Sequence, residues 1–182
     1  MALTLAPAGG RIQSGKTNQI FMIGAVVFSA VRSTAQTITR VTESSANAIQ
    51  WDTIELDALG AWNASQPTRW TAPFAGWFTF AGATAFNAPA SGSGVSPGVQ
   101  RDALWFANGG NFIGARSRTF AASGGVPAAG GLALTIEART RPKLLAAGDY
   151  VELVAVHDAS ASLATATGTL APYMAVTYSG PA

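Results

Sequence analysis

The octapeptide GRIQSGKT, residues 10–17, fits the phosphate-binding pattern G-x-x-x-x-G-K-[ST] at every specified position. In proteins that use this pattern, a strand leads into a glycine-rich turn and a helix N-terminus, whose free N–H groups bind the phosphates. Lys16 would reach the outer phosphates and Thr17 would hold magnesium. The neighbouring residues do not fit, because NQIFMIGAVVF indicates no helix and the chain shows no alternation of strands and helices. We therefore interpret residues 1–20 as an extended arm and predict no cofactor.

Other polar residues offer little support for catalysis. His157 is the only histidine, which excludes a multi-histidine metal site and argues against a Ser/His/Asp triad. Asp52, Glu55 and Asp57 could supply oxygen ligands to calcium. On an alternating strand, however, Asp52 and Glu55 face opposite sides, which favours a solvated strand end. We predict neither an enzyme nor a metal site.

Two surface-binding motifs also have simpler interpretations. Asn63-Ala64-Ser65 is a glycosylation acceptor pattern, but without a visible secretory signal we interpret it as a bare loop. An aromatic set could stack on sugars, but its spacing through predicted strands favours a place in the core. The set comprises Trp51, Trp70, Phe74, Trp77, Phe78 and Phe80.

The composition predicts one domain with a covered surface. Charged residues make up only 11% of the 182 residues, against about 25% in typical globular proteins. A surface so poor in charge is expected to be covered by copies of the chain or by a partner. The eleven cations are scattered singly, which argues against nucleic-acid binding. The longest apolar run, at 20–31, is too short to span a membrane.

Apolar stretches of strand length, separated by turn residues, predict an all-β antiparallel sandwich with the arm at 1–20 and the body at 21–182. Asn108-Gly109 is a strong hairpin signal between two of these stretches. In 147–158, alternation places Val151, Leu153 and Ala155 on one side. The predicted strands lie within 24–32, 48–57, 69–86, 102–110, 111–120, 130–140, 147–158 and 171–180.

Several of these segments, in this order, resemble the globular heads of the first complement component, within the tumour-necrosis-factor-like jelly-roll superfamily. The resemblance rests on VVFSAVR, IQWDTIELD, RWTAPFAGWFTFAG, ALWFANGG, AAGDYVELVAV and PYMAVTYSG. It implies a jelly-roll topology and a homotrimer whose inner sheets face the threefold axis. Similar alanine- and glycine-rich jelly rolls without a stalk occur in bacteriophage virion proteins.

This resemblance implies a non-enzymatic virion protein on the outer capsid surface, with the major capsid protein or another virion protein as its partner. In this hypothesis the arm lies along the shell, where Leu3, Leu5 and Ile12 are buried and Arg11 and Lys16 meet carboxylates. The alternative is a receptor-binding or adhesive module of a tail or fibre tip. There, loops such as 87–98 and 121–130 would contact the host.

Overall fold

The computed structural model describes residues 19–40, 43–87, 100–120, 134–159 and 161–182. The arm residues Leu3, Leu5, Arg11, Ile12 and Lys16 lie outside these ranges, as does the GRIQSGKT segment. The strands are β1 Val26–Val31, β2 Thr37–Ile38, β3 Thr53–Asp57, β4 Trp70–Thr71, β5 Gly76–Phe86, β6 Gln100–Ala107, β7 Gly110–Phe120, β8 Leu134–Arg139, β9 Lys143–Leu145, β10 Tyr150–His157, β11 Leu163–Ala164 and β12 Tyr173–Pro181. Short 3₁₀ turns occupy Ser45–Asn47 and Gly168–Leu170.

Two antiparallel sheets form the sandwich. Sheet I has the order β3-β1-β12-β5-β8, with β9 also paired to β5, and sheet II has the order β4-β10-β6-β7. Every strand pairing in the described ranges is antiparallel. The predicted all-β sandwich is confirmed, and the described strands contain no parallel sheet of the kind that positions a phosphate loop.

Strand alternation builds the core between the sheets. Val151, Leu153 and Ala155 of β10 are buried there, as their spacing predicts. The ring of Trp70 packs edge-on against two aromatic rings of sheet I, with centroid distances of 4.9 Å to Phe78 and 5.7 Å to Phe80. Such pairs add to the free energy of burying the rings themselves. The core interpretation of these three aromatic residues is therefore correct.

The predicted hairpin between β6 and β7 is also confirmed. Asn108 and Gly109 both have positive φ angles, 51° and 78°, as a tight two-residue hairpin turn requires. The Asn108 side chain fixes the turn by donating to Asp149 at 2.9 Å and accepting from the Tyr150 amide at 3.0 Å.

Sheet II is buried on both faces, which alternation alone does not predict. On the face away from sheet I, Leu104, Phe106, Val154 and Val156 form a second apolar cluster with Ala48. Ala48 is also bridged to Val154 through the backbone. The connection between β2 and β3 therefore covers this face of sheet II and shields it from water.

The close approach of the two sheets at Gly82 leads to a testable prediction. A Cβ at this position would lie 2.6 Å from the Tyr173 carbonyl oxygen, 3.1 Å from the Trp105 ring and 3.2 Å from Leu153. Gly82→Ala should therefore lower the free energy of unfolding by about 1–3 kcal/mol in denaturant titration.

The matched control is Gly110→Ala. Its Cβ would meet only the Ala107 carbonyl oxygen, at an ordinary 3.7 Å, so a change within about 0.5 kcal/mol is expected. Equal effects of the two substitutions would contradict the packing described at Gly82.

Candidate interaction surface

The outward side of sheet I, here called the open face, is the side that faces away from sheet II. Strand register places Ser29, Ala175 and Ala81 side by side across β1, β12 and β5. Towards one end of the sheet, Thr177 and Thr79 are paired in the same way. These are small or short side chains, so the centre of the open face has a shallow relief on which another protein surface could lie closely.

Large apolar side chains border the open face at the end where β12 finishes. Trp77 and Leu144 are register partners on β5 and β9, and they are 38% and 46% exposed. Val26, opposite Thr177 at the start of β1, is also exposed. We call Val26, Trp77 and Leu144 the apolar rim. An exposed tryptophan beside exposed aliphatic residues is typical of a protein contact surface.

The segment before β1 joins the body beside this rim. One helical turn at 19–21 precedes the strand. The Gly24 amide then donates to the Tyr178 carbonyl at 2.7 Å, and Met22 packs against the core. Its neighbours Phe21 and Ile23 remain exposed, Phe21 by 80%. The residues that directly follow the predicted arm therefore add apolar surface next to the rim.

The aromatic set predicted for the core includes one exception, Trp77. Phe78 and Phe80 are fully buried, and the period of two along β5 directs Trp77 to the opposite side of the sheet. Assigning Trp77 to the core was therefore wrong. Alternation within GWFTF was the signal that could have identified it.

Charge is confined to the two margins of the open face. On β3, Glu55 accepts a hydrogen bond from the Ser29 hydroxyl at 2.6 Å. On β8, Glu137 and Arg139 are exposed, with their charged atoms 4.0 Å apart. Burial, followed by the negative charge of Glu137, raises the pKa of Tyr173. Between these margins, β1, β12 and β5 contain no charged residue.

Sheet II, in contrast, holds carboxylates that are buried and paired within the chain. Asp102 is fully buried and accepts from Arg118 at 3.0 and 3.1 Å and from Arg116 at 3.0 Å. Hydrogen bonding to Asp102 raises the pKa of Arg118. Arg116 also pairs with Glu43. These hydrogen bonds compensate the buried Asp102 charge and link β6 to β7, and truncating either partner would leave a buried charge unpaired.

The acidic residues considered as calcium ligands have separate structural roles. Asp57 accepts from the amides of Ala61 at 2.9 Å and Trp62 at 3.2 Å, and Glu55 binds Ser29. Asp52 accepts from the amide and hydroxyl groups of both Ser33 and Thr34. The described residues contain no group of three or more potential ligands placed to hold a metal ion.

His157 is the last residue of β10 and is buried. Its Nε2 lies 2.9 Å from the Ile38 carbonyl oxygen. Neither Asp158, which accepts from the Gln100 amide, nor any described hydroxyl forms a hydrogen bond with this ring. In the described ranges, no helix is long and apolar enough to cross a membrane.

Comparison with protein-family models and with curated proteins finds no match. Among solved structures, the chain is similar to the globular domain of the zebrafish complement 1qA protein. The TM-score is 0.53 at 10% identity, covering 83% of this chain and 94% of that one. It is also similar to Eiger TNF from S. frugiperda, with a TM-score of 0.55 at 6% identity, covering 86% and 94%. The chain thus has the jelly-roll fold of these proteins, as its sequence segments predict.

The hydrogen bonds around Asp52 predict how stability depends on pH. Burial alone would raise the pKa of Asp52, but donors from Thr34 and Ser33 outweigh it and hold that pKa well below its usual value. Ionised Asp52 therefore contributes stability above the unfolded pKa of about 4, and this contribution is lost as the pH falls toward the folded pKa. In acid titrations of the free energy of unfolding, Asp52→Asn should lose less stability below about pH 4 than the unsubstituted protein.

Glu137→Gln is the control, because it removes a carboxylate that is 58% exposed. Glu137→Gln should show the same loss of unfolding free energy below about pH 4 as the unsubstituted protein. If Asp52→Asn loses as much unfolding free energy below about pH 4 as the unsubstituted protein, the role given to these hydrogen bonds is contradicted.

Proposed function

We propose that the chain is a non-enzymatic structural protein that assembles as a homotrimer through the open face of sheet I. The observation that carries this proposal is the absence of charge from β1, β12 and β5, the central strands of a sheet with one open face. Water-facing strands normally carry polar and charged residues on their exposed side. The cores of protein interfaces are depleted in charge in the same way.

The rim supports the same proposal. Trp77 would act as an aromatic anchor, and the small side chains of Ala81 and Ala175 would allow close approach of a second copy. Three copies are the arrangement implied by the jelly-roll resemblance. A closed cyclic assembly of this kind would cover the open face of each copy.

We further propose that the trimer decorates or stabilises a bacteriophage capsid through residues 1–20, with the major capsid protein or another virion protein as partner. The support is the position at which this segment meets the body. Phe21 and Ile23 are exposed beside the rim, so residues preceding them start from one end of the sandwich. In a trimer, three such segments would leave from the same end and could bind one surface together.

Trp77→Glu tests the assembly face. A charge in the apolar rim should weaken association by about 2 kcal/mol or more. In sedimentation velocity, the unsubstituted protein should have three times the 18.5 kDa chain mass, and the variant should shift toward the monomer.

Leu170→Glu is the matched control. Leu170 is 41% exposed, about as much as Trp77, but it lies shortly before the first residue of β12, at the end of the strand opposite the rim. This variant should retain the trimer. A monomeric unsubstituted protein would refute the trimer, and a Trp77→Glu trimer of unchanged stability would refute this face.

Deleting residues 1–18 tests the capsid proposal separately. The truncated chain should keep its sedimentation mass, because Met22 and Gly24 still fasten the segment before β1. It should lose binding to capsids in co-sedimentation with particles that lack the native protein. Normal decoration by the truncated chain would contradict a role for the arm.

A further inference from the structure

An arginine lies inside the sandwich at the start of β6. Arg101 is only 4% exposed. It is the register partner of His157, so their side chains lie on the same side of sheet II. The Arg101 guanidinium carbon is 5.6 Å from the centroid of the Phe86 ring, and that ring meets the His157 ring edge-on at 5.8 Å. The three side chains form one cluster between the two sheets.

The Arg101 guanidinium has no carboxylate partner in this chain. All nine Asp and Glu residues fall within the described ranges, and none of their ion pairs involves Arg101. Asp102 points to the other face of β6, toward Arg116 and Arg118. The Arg101 Nε is buried and has no hydrogen-bond acceptor in the described part of the chain.

A buried positive charge without a carboxylate partner is costly, and arginine does not escape this cost by losing its proton. Burial lowers the pKa of Arg101, but an arginine starts so high that it stays charged near neutral pH. Stacking on Phe86 compensates the charge only in part. The site therefore calls for an anion that the chain itself does not supply.

A further buried polar atom, on the inner side of β5, lacks a partner. Thr84 lies between Gly82 and Phe86 on β5, and the period of two along the strand directs its side chain to the same inner side as Phe86, whose ring meets Arg101. The Thr84 hydroxyl is fully buried and has no partner among described residues.

We propose that Arg101 and Thr84, with the Phe86 ring beside them, form a buried site for a small carboxylate, such as formate or acetate. The single fixed charge of Arg101 matches a monoanion. The Arg101 Nε–H and the Thr84 hydroxyl supply donors to the two carboxylate oxygens, while the Phe86 ring borders the apolar end of the ligand. A phosphate would bring more charge and more acceptor atoms than these donors can satisfy.

The test is thermal unfolding in sodium acetate against sodium chloride at equal ionic strength, after dialysis into chloride. At ten times the dissociation constant, acetate should raise the Tm of the full chain by about 3–6 °C. Arg101→Met, which keeps the length of the side chain without its charge, should lose this shift. Arg141→Met, at an exposed position, should keep it. Thr84→Val should require more acetate for the same shift.

Line broadening of ¹³C-labelled acetate by the unsubstituted protein gives a second readout that does not depend on whether Arg101→Met folds. We expect the protein to broaden the ¹³C-acetate line and unlabelled formate to reverse this broadening by competing for the site. No broadening, or equal Tm shifts in unsubstituted protein and Arg101→Met, would overturn the proposal. A Tm that does not change with acetate would also overturn it.

Discussion

A two-layer sandwich buries one face of each sheet, and each remaining face must meet water, more of the same chain or another molecule. In sheet II, the connection around Ala48 covers the second face and builds an apolar cluster with Leu104 and Val154. On the second face of sheet I, Val26, Trp77 and Leu144 remain exposed, whereas Ala83 and Ala85 farther along β5 are buried. The strands β1, β12 and β5 carry no charge suited to water. Because the two sheets are covered unequally, the outward side of sheet I is the side of the sandwich that we propose for contact between copies.

The few charges of the chain are concentrated elsewhere. Asp102 draws Arg116 and Arg118 onto the β6–β7 pair, and Asp52 and Asp57 fix loops by accepting backbone amides. Carboxylates are thus used to hold strands and turns, and few remain on the surface. Arg101 is the exception, since the same scarcity of acids leaves it buried without a counter-charge. The proposed carboxylate site and the uncharged open face both follow from a composition in which few acidic residues are available.

Local patterns predicted much of the fold. Alternation located the buried sides of β10, and Asn108-Gly109 located the hairpin, because both signals depend on neighbouring residues. The partners of the buried carboxylates were not predictable in this way: Arg118 lies 16 positions beyond Asp102, and Thr68 lies 84 positions before its hydrogen-bond partner Glu152. The pairing of β2 with β11 also joins distant segments that are too short for alternation to show. The period of two along β5 predicts that Trp77 faces away from Phe78, and grouping all the aromatic residues in the core ignored that alternation.

Hydroxyl-radical footprinting of the assembled protein tests the central claim, that the open face is where copies meet. The oxidation rates of Trp77 and Val26 should fall as the protein concentration is raised and monomers assemble, because assembly buries their side chains. Oxidation of Leu170, away from the rim, should stay constant over the same range. A stable assembly in which Trp77 and Val26 remain as reactive as in the monomer would contradict the account.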